Sequence, residues 1–308
     1  MSPAVSPHRH GMLLAAVGVL SLSFDAVLVR LAGTDGWNVT FWRGWLICLS
    51  MAVLTLARRE RWRPSSRAEG VAAAAVVALY GMNTALFVLS VSHTKAANTV
   101  VILSCAPFFA ALFSWLFLRE RVRVRTLVAI ALCVTGVLVV FSGSLGGGTV
   151  VGDGLALLLA VLMGVSLTVL RRFPGIPRIP LTCGAGAVAG LAASAFAEPL
   201  SLQPAAYGWL AIMGLVQMPL ASVLIMTATR YLPSPEVSLF LLIETVLGPV
   251  WVWLAVGEEP PSLTLVGGAL ILVTISVHSW LAMRDPVPLA AGAAAGGAPH
   301  AVERGAPE

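Results

Sequence analysis

Charged side chains are scarce in this chain. Asp, Glu, Lys and Arg make up 11% of its 308 residues and hydrophobic residues 58%, against about 25% and roughly 45–50% in ordinary globular proteins. A chain so poor in polar surface cannot cover itself in water, and its apolar excess must face lipid. Signatures of soluble chemistry are missing too. The cysteines Cys48, Cys105, Cys133 and Cys183 show no CxxC spacing and no adjacent histidines, so they read as small buried apolar residues rather than metal ligands. His93 and His278 stand without HExxH or GxSxG context, which leaves a membrane-embedded enzyme without its metal or nucleophile. No GxxxxGK[ST] loop occurs, and ATP-driven transport by this chain alone is therefore not expected. No cofactor or metal is implied.

What the sequence does contain is a succession of apolar runs of about twenty residues, the length that spans a hydrocarbon core as a helix. Ten are read, at 11–31, 38–57, 70–91, 97–118, 124–142, 152–170, 179–197, 206–229, 236–256 and 263–283. They are continuously apolar and lack the alternation of a membrane barrel strand. The expected fold is therefore an all-α integral membrane protein with ten transmembrane helices.

The net charge of +5 is explained by topology and not by a nucleic-acid partner. Sixteen of the 19 basic residues fall on one side of this ten-span scheme, chiefly Arg58, Arg59, Arg61, Arg63 and Arg67, then Arg119, Arg121, Arg123 and Arg125, then Arg171, Arg172 and Arg178. The positive-inside rule puts both termini in the cytoplasm of a bacterial-type inner membrane. Residues 1–10 and 284–308 read as disordered cytoplasmic tails, and the first span as a retained helix because further spans follow it.

Shifted on itself by 138 residues, the chain aligns Thr126-Leu127-Val128-Ala129-Ile130-Ala131-Leu132 with Thr264-Leu265-Val266-Gly267-Gly268-Ala269-Leu270, five of the seven being identical. The same shift pairs Trp115-Leu116 with Trp253-Leu254 and Glu120 with Glu258. The halves are then 11–142 and 152–283, joined by a glycine-rich linker over 143–151. Five spans per half is an odd number, so the second half enters the membrane from the opposite side. Inverted repeats of this kind are recurrent in secondary transporters, because two like bundles can exchange outward-open and inward-open states.

The stretches Phe41-Trp42-Arg43, Pro107 through Leu118-Arg119-Glu120-Arg121, and Leu242-Ile243-Glu244-Thr245 through Gly248-Pro249 to Val256-Gly257-Glu258 resemble the drug/metabolite transporter superfamily, specifically its EamA-like ten-helix branch. The resemblance covers about residues 11–283. It implies two EamA repeats around a central cavity and efflux of amino acids, other metabolites or drugs. Glu244-Thr245 stands where the first repeat has Ala106-Pro107, so the halves are expected to contribute unequally to the site.

Within the spans three ionisable residues stand out: Asp25, Arg43 and Glu244. A charge at the middle of a membrane helix costs about 2.5–3.5 kcal/mol on insertion scales, so each asks for a partner or a purpose. Asp25 and Arg43 lie at matched depth, and either a structural ion pair or a substrate-facing pair in the vestibule fits. Glu244 lies near the midplane with no opposite charge in view. It can carry a proton across a transport cycle, or stay protonated as a structural hydrogen-bonding group. Pro107 cannot donate to Leu103, nor Pro249 to Thr245, so each is expected to kink its helix and free a carbonyl. Asn83, Asn98 and Ser104 are weaker candidates for polar groups lining a cavity, since such residues more often bond helix to helix than contact a ligand. Gly186 and Gly190 form a GxxxG pattern that serves packing within the bundle or a homodimer face. Glu120 and Glu258, at span ends, are read as structural partners of a helix start.

The expected partners are the lipid bilayer and a small-molecule substrate. A secondary transporter is favoured over a membrane-embedded enzyme and over a non-transporting receptor or scaffold.

Overall fold

The computed structural model describes residues 7–59, 63–118, 124–145, 149–228, 231–232 and 234–284. Among these residues all regular structure is helical: α1 (Pro7–Ser23), α2 (Asp25–Ala32), α3 (Gly36–Ala57), α4 (Arg67–His93), α5 (Ala96–Leu103), α6 (Ala106–Leu118), α7 (Val124–Ser144), α8 (Val150–Arg172), α9 (Arg178–Ala193), α10 (Pro204–Ala211), a π-helical turn (Ile212–Gln217), α11 (Met218–Ala228), α12 (Ser234–Val256) and α13 (Ser262–Arg284). Glu120, the middle of the linker at 146–148, residues 1–6 and residues 285–308 lie outside the described residues. Helix α1 starts at Pro7, inside the segment expected to be a tail.

Eight helical stretches are long and apolar enough to cross a membrane, and Arg178–Ala193 and Phe240–Val256 are shorter apolar helices. These two coincide with the runs read at 179–197 and 236–256. Polar side chains cap the ends that leave the apolar layer. The Asp35 carboxylate accepts from the Trp37 N–H at 2.8 Å at the start of α3. Ser66 accepts from the Glu69 N–H at 3.1 Å while Glu69 accepts from the Ser65 N–H at 2.7 Å at the start of α4, a capping-box arrangement displaced by one residue.

Three of the apolar runs are interrupted, and proline marks two of the breaks, Pro107 at the start of α6 and Pro219 directly after the π-helical turn. Between α5 and α6 the helix stops at Leu103 and restarts at Ala106, which places Pro107 in the first turn of the new helix, where its missing N–H does least harm. In α12 the chain instead runs on helically through Pro249, so the expected kink does not interrupt that helix. Between α1 and α2 the break falls at Phe24 with neither proline nor glycine present. Tertiary contacts account for it: Gln217 Nε2 donates to the carbonyls of Ser21 at 3.1 Å and Leu22 at 3.5 Å. Trp251 Nε1 donates to Ser23 Oγ at 3.0 Å, and the Phe24 ring stacks on Trp251 with centroids 4.9 Å apart. Gln217 closes the π-helical turn, so the third irregularity holds the first one open. Single π turns of this kind recur at functional sites.

The two glycines of the GxxxG pattern are used inside the bundle. A Cβ on Gly44 of α3 would stand 2.5 Å from the Gly190 amide and 2.7 Å from the Gly186 carbonyl of α9, so these two backbones touch with no room for a side chain. Gly44→Val should therefore force the helices apart and cost about 1–3 kcal/mol or more, since backbone and not a flexible side chain must yield. Fluorescence-detected gel filtration after graded heating would show the loss. An unchanged melting profile would mean that α3 and α9 have room for a side chain at this contact.

Candidate functional site

A cavity of about 660 Å³ lies inside the bundle. Helix α4 supplies Tyr80, Asn83, Thr84 and Phe87, whose three- and four-residue spacing puts them on one face. Helix α8 supplies Leu159, Met163, Leu167 and Arg171, a strict four-residue stripe running roughly 18 Å along the axis at the helical rise. The broken span contributes Leu103, Ser104 and, from α6, Pro107 and Phe108. Helix α12 adds Leu241, Leu242, Glu244 and Thr245, and α13 adds Ile275, His278 and Ser279.

The cavity has two polar ends separated by an apolar belt. At the deep end Arg43 Nη2 donates to Asp25 Oδ2 at 2.8 Å, with the side chains only 3% and 7% exposed. The pair anticipated from matched depth is thus formed. The Arg43 guanidinium also sits over the Phe87 ring, 5.3 Å from its centroid, a cation–π contact in a desolvated setting. Much of its donor capacity is unspent. Arg43 Nε and Nη1, Asp25 Oδ1 and Asn83 Oδ1 are buried without a hydrogen-bond partner. Asn83 Nδ2 reaches only the sulfur of Met163, at 3.9 Å. Glu244 lines the same cavity and lies within electrostatic reach of Asp25. Each buried polar group left unsatisfied costs about 1–3 kcal/mol, and such groups in native proteins are normally met by water or a ligand. Two guanidinium donors facing several carboxyl and amide acceptors can hold one carboxylate and one ammonium group at once.

The shallow end is formed by Thr126, Arg171, His278 and Ser279. Arg171 is exposed at the end of α8, and the His278 ring meets Phe108 edge-on at 5.7 Å. This end lies toward the arginine-rich loops.

Of the residues singled out by sequence, Asp25, Arg43, Asn83, Ser104, Pro107, Glu244 and Thr245 all line this one cavity. Pro249 is buried in α12 outside its lining. Asn98 is not a cavity residue: it is buried in a separate polar cluster near the other end of the bundle, bonded to Asp153, Ser144 and Thr264. Glu258 accepts from the Ala96 N–H at 2.7 Å and pairs with Arg30 at 2.8 Å, so the helix start it serves is that of α5 and not of the helix that follows it. Tyr80, Phe87 and Arg171 also line the cavity, and sequence reasoning does not single them out as cavity residues. The four-residue stripe on α8 and the cluster of spacings on α4 are the signals available for them.

The EamA-like transporter family matches residues 9–142 and again residues 150–280, and the chain belongs to that family. It is a membrane transporter and not an enzyme. A probable terminal-alkyne amino-acid exporter of Streptantibioticus cattleyicolor is 26% identical over 279 residues, 84% of this chain and 89% of the relative. The pseudopaline exporter CntI of Pseudomonas aeruginosa is 27% identical over 277 residues, 86% of this chain and 94% of the relative. A solved crystal structure of a protein at 18% identity superposes with a TM-score of 0.62 over 89% of this chain and 99% of its own, which shows a shared fold.

Proposed function

We propose that this protein exports small zwitterionic metabolites of the amino-acid class across the inner membrane by proton-coupled alternating access. The observation that carries this reading is the deep end of the cavity, where Arg43 keeps two unpaired donors beside the unpaired acceptors of Asp25 and Asn83. A substrate carboxylate would take the free edge of Arg43 and an ammonium would take Asp25, Asn83 or Glu244. The apolar belt of Leu103, Phe108, Met163 and Leu167 would then accept the side chain. Relatives named as exporters of an amino acid and of pseudopaline agree with that class of cargo. Glu244 is assigned the coupling proton because it is the cavity carboxyl with no hydrogen bond or ion pair among the described residues.

The architecture assigned to this mechanism is ten spans in two inverted five-helix repeats, with both termini cytoplasmic. Two successive matches to one family domain support the repeat, and the arginine-rich loops support the orientation.

Substrate class is tested by counterflow in proteoliposomes, using a panel of free amino acids with N-acetyl and carboxamide derivatives of the best of them. Loss of either charge should weaken uptake about tenfold or more, the cost of leaving a buried charged partner unmatched. Equal uptake of the capped derivatives would overturn the zwitterion assignment. Topology is tested by single-cysteine labelling. The 143–151 linker should react from outside and the 58–67 loop only after permeabilisation, whereas external labelling of both would remove the inverted repeat.

A further inference from the structure

The end of the bundle away from the arginine-rich loops is closed by hydrogen bonds that join the first half of the chain to the second. Asp153, in the first turn of α8, is fully buried and carries no cationic partner among the described residues. Its Oδ1 accepts from Thr94 Oγ1 at 2.5 Å and from Asn98 Nδ2 at 3.0 Å. Its Oδ2 accepts from Ser144 Oγ and, at 3.2 Å, again from Asn98 Nδ2. Thr264, opening α13, donates to Asn98 Oδ1 at 2.5 Å. Beside this cluster Arg30 pairs with Glu258 at 2.8 Å and donates to the Thr94 carbonyl at 2.7 Å.

Two features distinguish this cluster from ordinary helix packing. Arg30, Thr94 and Asn98 come from one family-domain match and Asp153, Glu258 and Thr264 from the other, with Ser144 between the two, so the bonds of Asp153 to Thr94 and Asn98, of Thr264 to Asn98 and of Arg30 to Glu258 all cross between the halves. The cavity also ends below it. Val100 and Leu159 line the cavity, and no member of the cluster does.

We propose that this cluster, centred on Asp153 and flanked by Arg30 and Glu258, is the outer gate of the transporter, closed in this structure while the cavity reaches toward the opposite face. The proposal rests on the alternating-access reading: if the halves must part at this end to release cargo, these are the bonds that break. Neutral donors around a lone carboxylate suit a reversible latch, because each is individually modest and all are lost together when the halves separate. Water can solvate the freed groups once the end is open.

The test needs no substrate. A Ser104→Cys reporter, placed in the cavity wall, is treated in whole cells with a membrane-impermeant methanethiosulfonate, and the rate of the parent with its native cysteines is subtracted. Asp153→Asn keeps the side-chain shape but turns a donor toward the donors of its partners. It should raise the external labelling rate at least tenfold and lower labelling from the inner face in inverted vesicles. Should Asp153→Asn fail to reach the membrane folded, Thr264→Val combined with Glu258→Gln is read in the same way. An unchanged external rate in either folded variant overturns the gate. Faster labelling without transport of any tested amino acid would leave the gate standing and remove the substrate reading, while intact transport with a flat labelling rate would do the reverse.

Discussion

Asp25→Ala is expected to destabilise the protein more than Arg43→Ala, although both delete the same hydrogen bond. Breaking a buried ion pair by removing one partner costs about 3–5 kcal/mol, because the survivor is left uncompensated. The two survivors differ in their means of relief. A carboxyl stranded in apolar surroundings can take up a proton and become neutral, whereas a guanidinium stays charged under all practical conditions. Arg43 is 3% exposed and has no second carboxylate bonded to it among the described residues. Its stranding should therefore approach the upper end of that range, with Arg43→Ala nearer the lower end. Asp25→Asn, which keeps an acceptor for Nη2 at 2.8 Å, should fall between wild type and Asp25→Ala. The measurement is a double-mutant cycle on thermal unfolding in detergent. Coupling between the two sites of about 1–3 kcal/mol is the expected result, and additive single effects would mean that the 2.8 Å contact contributes nothing specific. Both alanine variants should also lose transport, since Arg43 is assigned the substrate carboxylate.

That pair was legible in the sequence because membrane helices convert residue number into depth. Asp25 and Arg43 lie on consecutive spans of opposite direction, and helical rise alone placed them level. The Pro107 break was legible for a similar reason, a local covalent constraint. The break at Phe24 was not, because Leu22-Ser23-Phe24-Asp25 holds neither proline nor glycine, and the modest helix propensities of Ser and Asp do not by themselves stop a helix. It is held by Gln217 and Trp251, which are remote in sequence. The Asp153 cluster was hidden differently. Asp153 sits at the start of a span, where a carboxylate is unremarkable, and only the convergence of four segments shows that it is buried. Asn98 takes the helix-to-helix role that such residues more often have, but the sequence does not name its partners Asp153, Ser144 and Thr264. At Pro249 the helix runs on without interruption, since a helix can carry a proline when packing and neighbouring groups absorb the lost bond. The α8 stripe of Leu159, Met163, Leu167 and Arg171 was present in the spacing, but an apolar stripe in a membrane helix faces lipid, neighbour or cavity with equal ease, and only the fold decides which.

Glu244→Gln should abolish proton-driven accumulation while leaving the protein folded. Glutamine keeps the size and most of the hydrogen-bonding capacity of the side chain and cannot ionise. Coupling requires a group that holds a proton in one orientation of the cavity and releases it in the other, and a lone cavity carboxyl within reach of the Asp25 charge meets that requirement. Substrate binding is assigned chiefly to Arg43, Asp25 and Asn83, so exchange of labelled for unlabelled substrate should survive within a few-fold. Net accumulation should fall to the level of empty vesicles, and the dependence of the rate on pH should flatten.

The most direct measurement is uptake of the best counterflow substrate into proteoliposomes with and without an imposed pH gradient, wild type beside Glu244→Gln at matched protein incorporation. Proton-coupled export through this cavity predicts that wild type concentrates substrate only on the gradient and that the glutamine variant exchanges substrate but does not concentrate it. A Glu244→Gln protein that concentrates substrate on the gradient as well as wild type would contradict the account.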